Sequence, residues 1–285
     1  MDQINVTAWE NRTETRSGAL SAQMADMARA TFGGPDNAVS PGSVMPHLWH
    51  WFAFLPATPT LELNSDGHPP LGGFLPPVRL ERRMWAGGAL QFHQPLHVDE
   101  PLMRKSTIVR VAEKEGVTGQ MVFVTVDHEI SGQAGLAISE RQDIVYLPIP
   151  ESYTPPRKQP VPEAVCLDEA HETGPTLLFR YSALTFNAHR IHYDLPYAQS
   201  QEHYPGLVVH GPLQATLLMD AATRYGRRPP NRFTFRGVHP VFAGQPMRVL
   251  GAETGTGALS LCTAVRDRDV TYQGLQATAI WEDET

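Results

Sequence analysis

The hydrophobic and polar positions of this chain follow a helical spacing near its start and an alternating spacing over most of its length. Between residues 18 and 32, apolar side chains recur every three or four positions, which predicts a helix that ends at Gly33. Residues 47–55 (HLWHWFAFL) are bulky and apolar nearly all round, which predicts a buried helix. From Met84 onward the period becomes two, which indicates half-buried strands. The expected strands are 90–92, 106–111, 120–128 and 140–146.

Proline and glycine interrupt these patterns in two places. The loop at residues 56–77 includes DGHPPLGGFLPP, and loops of this length without regular structure are commonly lids or binding segments. The proline-rich segment at 148–162 (PIPESYTPPRKQPVP) predicts an extended linker. We therefore expect an N-terminal domain at 1–150, a linker at 151–165 and a C-terminal domain at 166–285.

The second half of the chain repeats the layout of the first. A helix is expected at 212–225, followed by strands at 232–235, 247–254, 258–266 and 275–280. PLHVDEPL at 95–102 matches PVFAGQPM at 240–247, a shift of 240 − 95 = 145 positions, and residues 44–55 fall where 208–219 fall in the second half. An internal duplication of one long helix wrapped by an antiparallel sheet explains the agreement, and chance similarity of short proline-containing turns is the alternative.

Composition narrows the class of protein. The net charge of −7 argues against general nucleic-acid binding, and no apolar run is long enough to cross a membrane. The N-terminus has early acidic residues and no apolar segment of the kind found in signal peptides. Cys166 and Cys262 form neither a disulfide framework nor a zinc pattern, so we expect free thiols in a reducing, cytoplasmic setting.

One polar stretch in the second half carries candidate chemistry. Residues 179–184 alternate in polarity and predict a short strand. The following positions are too polar for a core: Asn187, His189, Arg190, His192 and Asp194. Further on, VVHGPL at 208–213 predicts a helix start, with Gly211 near the cap and Pro212 at the first helical position. A polar loop beside an open helix N-terminus offers a base, a water site and backbone donors for an oxyanion.

These motifs resemble a known enzyme family. IHYDLPYA at 191–198 is similar to the I-H-x-D-x-x-x-A signature of the MaoC-like (R)-specific enoyl-CoA hydratases, which have a hot-dog fold. VHGPL at 209–213 and FRGVHPVFAGQP at 235–246 resemble the family's next two landmarks. GGFLPPVRLERRMWAGG and SERQDIVY in the first half resemble its two-domain branch, which contains itaconyl-CoA and mesaconyl-C4-CoA hydratases and the mitochondrial type of 3-hydroxyacyl-thioester dehydratase. The resemblance implies an α+β double hot-dog fold.

The family's catalytic loop reads D-x-N-P-[LIV]-H, and this chain departs from it. Asn187 stands at the Asp position, His189 at the Asn position and Arg190 at the Pro position. An asparagine can orient water but cannot take a proton. The resemblance therefore implies His192 as the acid/base, Asn187 as a positioning partner and the Gly211 N–H as the donor to the enolate oxygen. Capping of a neighbouring carbonyl is the alternative role for His192.

Further residues are assigned to the substrate or to structure. The expected substrate-binding residues are His189, Arg190, His210 and Tyr193. For His210, a loop brace and a substrate contact are equally plausible, and Arg190 suits a distal carboxylate or a phosphate. Asp194 is expected to bond loop amides. Core packing is expected for Trp49, Trp51 and Phe52, and solvation for Arg82 and Arg83, with contact to CoA phosphates as the alternative for the arginines.

The function predicted on this basis is a hydro-lyase that adds or removes water across an enoyl thioester, converting itaconyl-CoA or mesaconyl-C4-CoA to citramalyl-CoA. The alternatives are a dehydratase of simple 3-hydroxyacyl-CoA or acyl-carrier-protein thioesters, a hot-dog thioesterase, and a non-catalytic acyl-CoA binder. CoA is expected as part of the substrate, with no separate cofactor. No metal is expected, because no carboxylate or cysteine completes a ligand set with His189 and His192 at usual spacing. We also expect a homo-oligomer, without nucleic-acid or membrane partners.

Overall fold

The computed structural model describes residues 5–33, 39–116, 119–255 and 257–282, and within these ranges the chain forms one antiparallel sheet of ten strands with four α-helices. The strands are β1 (Thr13–Gly18), β2 (Arg82–Phe92), β3 (Leu102–Gly116), β4 (Gly119–Gly132), β5 (Gly135–Leu147), β6 (Leu167–Glu172), β7 (Arg232–Gly237), β8 (Pro246–Gly255), β9 (Ala258–Asp267) and β10 (Val270–Ile280). The helices are α1 (Ala22–Phe32), α2 (Pro175–Thr185), α3 (Leu195–Ser200) and α4 (Gly211–Gly226). No helix in these ranges is long and apolar enough to span a membrane.

The order of the strands confirms the internal duplication. From the outer edge to the middle of the sheet, the first half runs β1-β3-β4-β5-β2 and the second half runs β6-β8-β9-β10-β7. Each strand therefore has a counterpart five strands later at the same place. Two isolated bridges also correspond, Val44 with His97 and Val208 with Phe242, and 242 − 97 = 145 is the shift found in the sequence. The architecture is the expected α+β double hot-dog.

The two halves meet where β2 pairs with β7 in the middle of the sheet. The pairing is antiparallel, with Leu90 opposite Phe233 and Gly88 opposite Phe235. A Cβ atom on Gly88 would lie 2.9 Å from both the carbonyl oxygen of Arg141 and the ring of Phe235. A glycine at this position therefore lets the strands approach each other this closely. The sheets of the two halves are thus continuous. The domain boundaries at 150 and 166 remain a prediction.

The concave faces of the two halves are filled differently. In the second half α4 is buried along most of its length against β8, β9 and β10. In the first half, residues 39–81 form only the 3-10 turns Trp49–Phe52 and Thr60–Glu62, so the predicted helix at 47–55 is wrong. The segment is buried, but Leu48 adopts a left-handed conformation (φ 70°) and prolines flank it on both sides, which prevents a longer helix. The concave face of β3–β5 is consequently left without a central helix.

The second helix corrects another expectation. Residues 179–184 belong to α2 and do not form the predicted strand. Pro175 lies in the first turn, and Leu178, Tyr181 and Leu184 are buried at three-residue spacing, while Phe179 is exposed. The alternating pattern seen over six residues was too short to separate a period of 2 from one of 3.6.

The remaining elements agree with the sequence patterns apart from their limits. Helix α1 begins at Ala22, because the Ser21 side chain accepts a hydrogen bond from the Met24 N–H and caps it, and Gly33 ends it in a left-handed conformation. The strands predicted in both halves are present and mostly longer than expected. The two short outer strands β1 and β6 were not predicted, since their polar sequences lack an apolar alternation.

Dividing the chain after Pro155 tests the shared sheet. The fragment 156–285 should be insoluble when expressed alone, because β7 would lose β2 and present an unpaired edge beside Phe233 and Phe235. Co-expression with 1–155 should restore a soluble complex that elutes as one species in size-exclusion chromatography. A soluble, folded fragment 156–285 would show that the second half does not need the seam.

Candidate active site

The predicted catalytic stretch forms a loop between α2 and α3 that is held by its own backbone. Phe186 ends α2 in a left-handed conformation, and the Asn187 N–H donates to the Ser182 carbonyl at 2.8 Å. A single 3-10 turn follows, Arg190–His192, and the Val208 N–H donates to the Ile191 carbonyl at 2.9 Å. The loop is therefore fixed both to the end of α2 and to the segment that leads into α4.

His192 presents an unprotonated ring nitrogen. Its ring is buried (8% exposed) and lines the main cavity, and its Nδ1 lies 2.7 Å from the Val208 carbonyl oxygen. Since a carbonyl can only accept, Nδ1 carries the proton and Nε2 is left with a free lone pair. Burial, followed by the neighbouring His210 and His189, holds the pKa of His192 well below its usual range.

His210 lies directly behind His192. The two rings stack with their centroids 3.6 Å apart, and Nε2 of His210 lies 2.9 Å from the Ser182 hydroxyl oxygen. The ring is 1% exposed, and burial lowers its pKa to about 3. Its uncharged ring thus packs against that of His192, the geometry expected of a brace, although it also reaches the cavity.

Gly211 opens α4 at the edge of the same cavity. The sequence predicted Gly211 near the cap and Pro212 at the first helical position; the helix begins one residue earlier, with His210 as the N-cap residue and Pro212 in the first turn. Among the described residues the Gly211 N–H has no hydrogen-bond acceptor, and Gly211 lines the cavity. An unpaired N–H at the positive end of a 16-residue helix is suited to stabilising a negative oxygen.

Asn187 lines the cavity, but its side-chain oxygen already takes part in a hydrogen bond within the loop. Its side-chain carbonyl accepts a hydrogen bond from the His189 N–H at 2.9 Å, which makes a local turn that shapes the loop. One lone pair of this oxygen is therefore used within the protein. The arrangement weakens the case for Asn187 as the principal acceptor for a water molecule.

His189 belongs to a buried charged group that includes Arg82. Its Nε2 lies 3.0 Å from Oε1 of Glu202, whose other oxygen accepts from Nε of Arg82 at 3.2 Å. Arg82 also donates to the Glu202 main-chain carbonyl at 2.6 Å. Arg82 is only 7% exposed, so the expectation that it is solvated is wrong. The alternating strand pattern does not reveal that Glu202, 120 residues away, provides a buried partner.

The remaining predicted residues are placed at the rim of the loop. Arg190 is engaged with Asp194 at 2.7 Å and with the Ser65 carbonyl at 3.0 Å, so its guanidinium holds two segments together. Asp194 caps α3 by accepting from the Tyr197 N–H, in line with its expected structural role. Tyr193 is half exposed, and its hydroxyl donates to the Ala188 carbonyl at 3.1 Å.

Sequence reasoning missed two residues of the first half that reach this site. Asp66 and His68, from the long loop at 56–77, hydrogen-bond each other at 2.8 Å, and the His68 ring lies 4.1 Å from that of His189. The ligand atoms of Asp66, His68 and His189 lie within 4.8 Å of one another, a spacing that a divalent ion could bridge. The only signal in the sequence was a D-x-H motif within a loop long enough to be functional.

The cavity beside His192 has a volume of about 1610 Å³ and extends into the first half. There it reaches the concave face that lacks a central helix, where it is lined by Trp51, Phe54, Arg104, His128 and Gln142. Trp51 therefore borders the cavity, whereas Trp49 and Phe52 pack in the core as expected.

The first-half end of the cavity is polar. Glu140 is buried and accepts hydrogen bonds from His50 at 2.9 Å, Trp51 at 2.9 Å and Gln142 at 2.8 Å. Arg104 is not among the donors to the Glu140 carboxylate in the described residues. Among the described residues Nε of Arg104 is buried and without a hydrogen-bond partner, and its terminal nitrogen lies 3.8 Å from Glu14.

Comparisons with solved structures agree with the fold. Among solved structures, a MaoC-like dehydratase superposes with a TM-score of 0.69 at 12% identity, covering 97% of this chain and 99% of that one. HtdX of Mycobacterium tuberculosis superposes with a TM-score of 0.65 at 19% identity, covering 94% and 98%. A protein of the same organism described as a double hot-dog has a TM-score of 0.60 at 14% identity, covering 95% and 96%. These likenesses define the fold as a double hot-dog.

Sequence relatives identify the family. Residues 48–243 match the family model of hydroxyacyl-thioester dehydratase type 2. The mesaconyl-C(4)-CoA hydratase of Chloroflexus aurantiacus is 46% identical over 259 residues, which cover 90% of this chain and 91% of that protein. The mitochondrial hydroxyacyl-thioester dehydratase type 2 of Schizosaccharomyces pombe is 32% identical over 269 residues, covering 83% and 89%. The chain belongs to the hydroxyacyl-thioester dehydratase type 2 family.

Replacing Arg82 tests the buried charged group beside the loop. Arg82→Met should lower the free energy of unfolding by about 3–5 kcal/mol, because it leaves the Glu202 carboxylate buried without its cation. Arg79→Met is the matched control, since Arg79 is exposed on the segment just before β2. Urea denaturation of both variants gives the measurement. Equal stability of the two would mean that the ion pair does not secure the loop.

Proposed function

We propose that the chain catalyses the reversible hydration of an enoyl-CoA whose acyl group carries a second carboxylate, of the mesaconyl-C4-CoA or itaconyl-CoA type, to give citramalyl-CoA. The observation that carries the proposal is that the unprotonated Nε2 of His192 and the unpaired N–H of Gly211 belong to one cavity. The choice of acyl group is supported by the 46% identity to the Chloroflexus hydratase.

In the hydration of a mesaconyl-C4-CoA type ester, whose C=C bond is conjugated to the thioester, His192 accepts a proton from water through Nε2 while the water oxygen bonds to the β-carbon. The π electrons of the C=C bond move onto the thioester, whose oxygen becomes negative and accepts a hydrogen bond from the Gly211 N–H. The imidazolium of His192 then returns its proton to the α-carbon as the enolate collapses. His192 ends neutral and the atoms of one water molecule have been added, so this sequence of steps uses no cofactor.

The first half would shape the acyl pocket. Because no central helix fills its concave face, the cavity continues from Gly211 past Trp85 and Trp51, whose rings lie 5.0 Å apart, to Arg104. The free Nε donor of Arg104 suits a carboxylate on the acyl group. An acyl chain without a polar end would leave this donor unpaired.

A second function has support of its own. The family model and the fission-yeast relative favour a dehydratase of simple 3-hydroxyacyl thioesters. A cavity of about 1610 Å³ also has room for acyl chains longer than a five-carbon diacid. That the protein forms a homo-oligomer stays a prediction.

A panel of CoA esters, with and without a terminal carboxylate, distinguishes the two functions. Mesaconyl-C4-CoA and itaconyl-CoA should be hydrated with a higher kcat/KM than crotonyl-CoA or longer plain enoyl-CoA esters, measured from the ultraviolet absorbance of the enoyl thioester. On the same panel Arg104→Met should lower kcat/KM about 10- to 100-fold for the carboxylated esters alone, because a hydrogen bond to a charged group contributes about 1.5–3 kcal/mol.

Lys105→Met is the control for this experiment, since Lys105 is exposed on the same strand and forms a surface ion pair with Glu129. Preference for plain enoyl esters would overturn the carboxylated substrate in favour of the simple dehydratase. Release of free CoA, detected with a thiol reagent, would identify a thioesterase, and binding without turnover would identify an acyl-CoA binder.

Removing the base tests the mechanism. His192→Ala should lower kcat by about 10²–10⁴, the usual contribution of general acid–base catalysis. Since the base acts in its neutral form and burial lowers the pKa of His192, the wild-type enzyme should keep its kcat/KM as the pH falls through 6.5. His93→Ala, an exposed histidine at the end of β2, is the control. A near-wild-type rate for His192→Ala would make another histidine the base.

A further inference from the structure

We propose that Asp66 and His68, from the first half of the chain, take part in catalysis. His68 holds the attacking water together with His192, and Asp66 fixes the orientation of the His68 ring. The inference rests on the proposed hydration and adds to it a residue pair from the other half of the chain. A water molecule has two O–H groups, and His192 on the second-half loop accepts one of them through a nitrogen that is left unprotonated because the other ring nitrogen donates to the Val208 carbonyl.

The loop that carries the pair is attached directly to the catalytic loop. The Arg190 N–H donates to the Asp66 carbonyl at 2.9 Å, and the Arg190 side chain donates to the Ser65 carbonyl at 3.0 Å. Gly67 has φ 90°, and a Cβ there would lie 1.8 Å from the Ala188 carbonyl oxygen. Only glycine permits this approach, so the position of the loop is fixed by contacts on both sides of the site.

Within the pair, the geometry repeats what the structure does with His192. Oδ2 of Asp66 lies 2.8 Å from Nδ1 of His68, and Oδ1 accepts the His68 backbone N–H at 2.8 Å. The carboxylate can only accept, so Nδ1 is protonated and Nε2 of His68 has a free lone pair. His68 lines the same cavity as His192. Two imidazoles are thus each anchored through Nδ1–H, one by a carbonyl and one by a carboxylate.

The charge states fit an acceptor. Burial, then the nearby Arg83, lowers the pKa of His68 to about 3 despite the opposing effect of Asp66. For Asp66, burial acts to raise the pKa, but the hydrogen bonds and charge of His68 outweigh it and the pKa falls to about 2. His68 is therefore neutral and Asp66 negative under ordinary conditions.

The role in the reaction follows from these states. One O–H of water donates to Nε2 of His192 and is the proton transferred, while the other O–H donates to Nε2 of His68 and stays on the product hydroxyl. The negative charge of Asp66 offsets the positive charge that develops on His192. No atom or electron is gained beyond those of the water, and both histidines return to their starting form.

The matched variants are His68→Ala, Asp66→Asn and their combination, with His93→Ala as control, each assayed as the full-length enzyme on its best CoA ester. His68→Ala should lower kcat up to about 100-fold, the effect expected when a reactant is misplaced by about an ångström, with KM changed little. Asp66→Asn should lower kcat similarly, since its amide no longer fixes the tautomer with a free Nε2. The double variant should be no slower than His68→Ala, because the two residues act as a unit.

Added imidazole should partly restore the rate of His68→Ala and leave that of Asp66→Asn unchanged, an effect that a purely structural residue would not show. Wild-type kcat in folded His68→Ala and Asp66→Asn enzymes would overturn the inference while the hydration itself stood. If no CoA ester is hydrated by the wild type, the proposed function fails first. Loss of wild-type activity on chelation, with recovery on adding Zn²⁺, would also overturn it, because Asp66, His68 and His189 would then be metal ligands.

Discussion

The pairing of β2 with β7 is the constraint on which the rest of the structure depends. It makes one sheet of two similar halves, and it sets the open concave face of the first half beside the N-terminus of α4 in the second. The glycine at position 88 allows this contact by leaving space for the Phe235 ring. Because the described residues form a central helix in one half alone, the space it would fill in the other becomes part of the cavity. The duplication thus produced a scaffold in one copy and a pocket in the other.

Much of this fold could be predicted from local patterns. The period-two strands and the start of α4 at Gly211-Pro212 are set by neighbouring residues, and the repeat at a shift of 145 positions marked the duplication. The failures have physical causes. The α2 segment was misread because six residues cannot separate the two periods, and residues 47–55 are buried without being helical because Leu48 turns left-handed between flanking prolines. Burial can be predicted from composition, but backbone conformation at such a point cannot.

The residues of the site also divide into those that local sequence predicts and those that depend on tertiary contacts. His192 and Gly211 could be predicted because the loop and the helix that present them are local in the sequence. Arg82 could not, since its partner Glu202 is 120 residues distant, and neither could His68, which approaches His189 only through tertiary contacts of a long loop. In both cases the neighbouring sequence does not indicate that the polar side chain is buried. Its burial and its partner arise from the way the two halves are joined.

Electrostatics explain why a site crowded with histidines suits this chemistry. A buried imidazole resists protonation, which keeps His192 neutral at rest but also penalises the imidazolium that the proposed mechanism forms. The surrounding charges reduce that penalty without removing it. The charge of Glu202 is compensated by Arg82. Asp66 lies beside His68, where its effect on the pKa of His68 is opposed by that of Arg83. In the proposed hydration a proton would therefore remain on His192 only transiently, and its return to the α-carbon would be favoured by the same burial that made the nitrogen available.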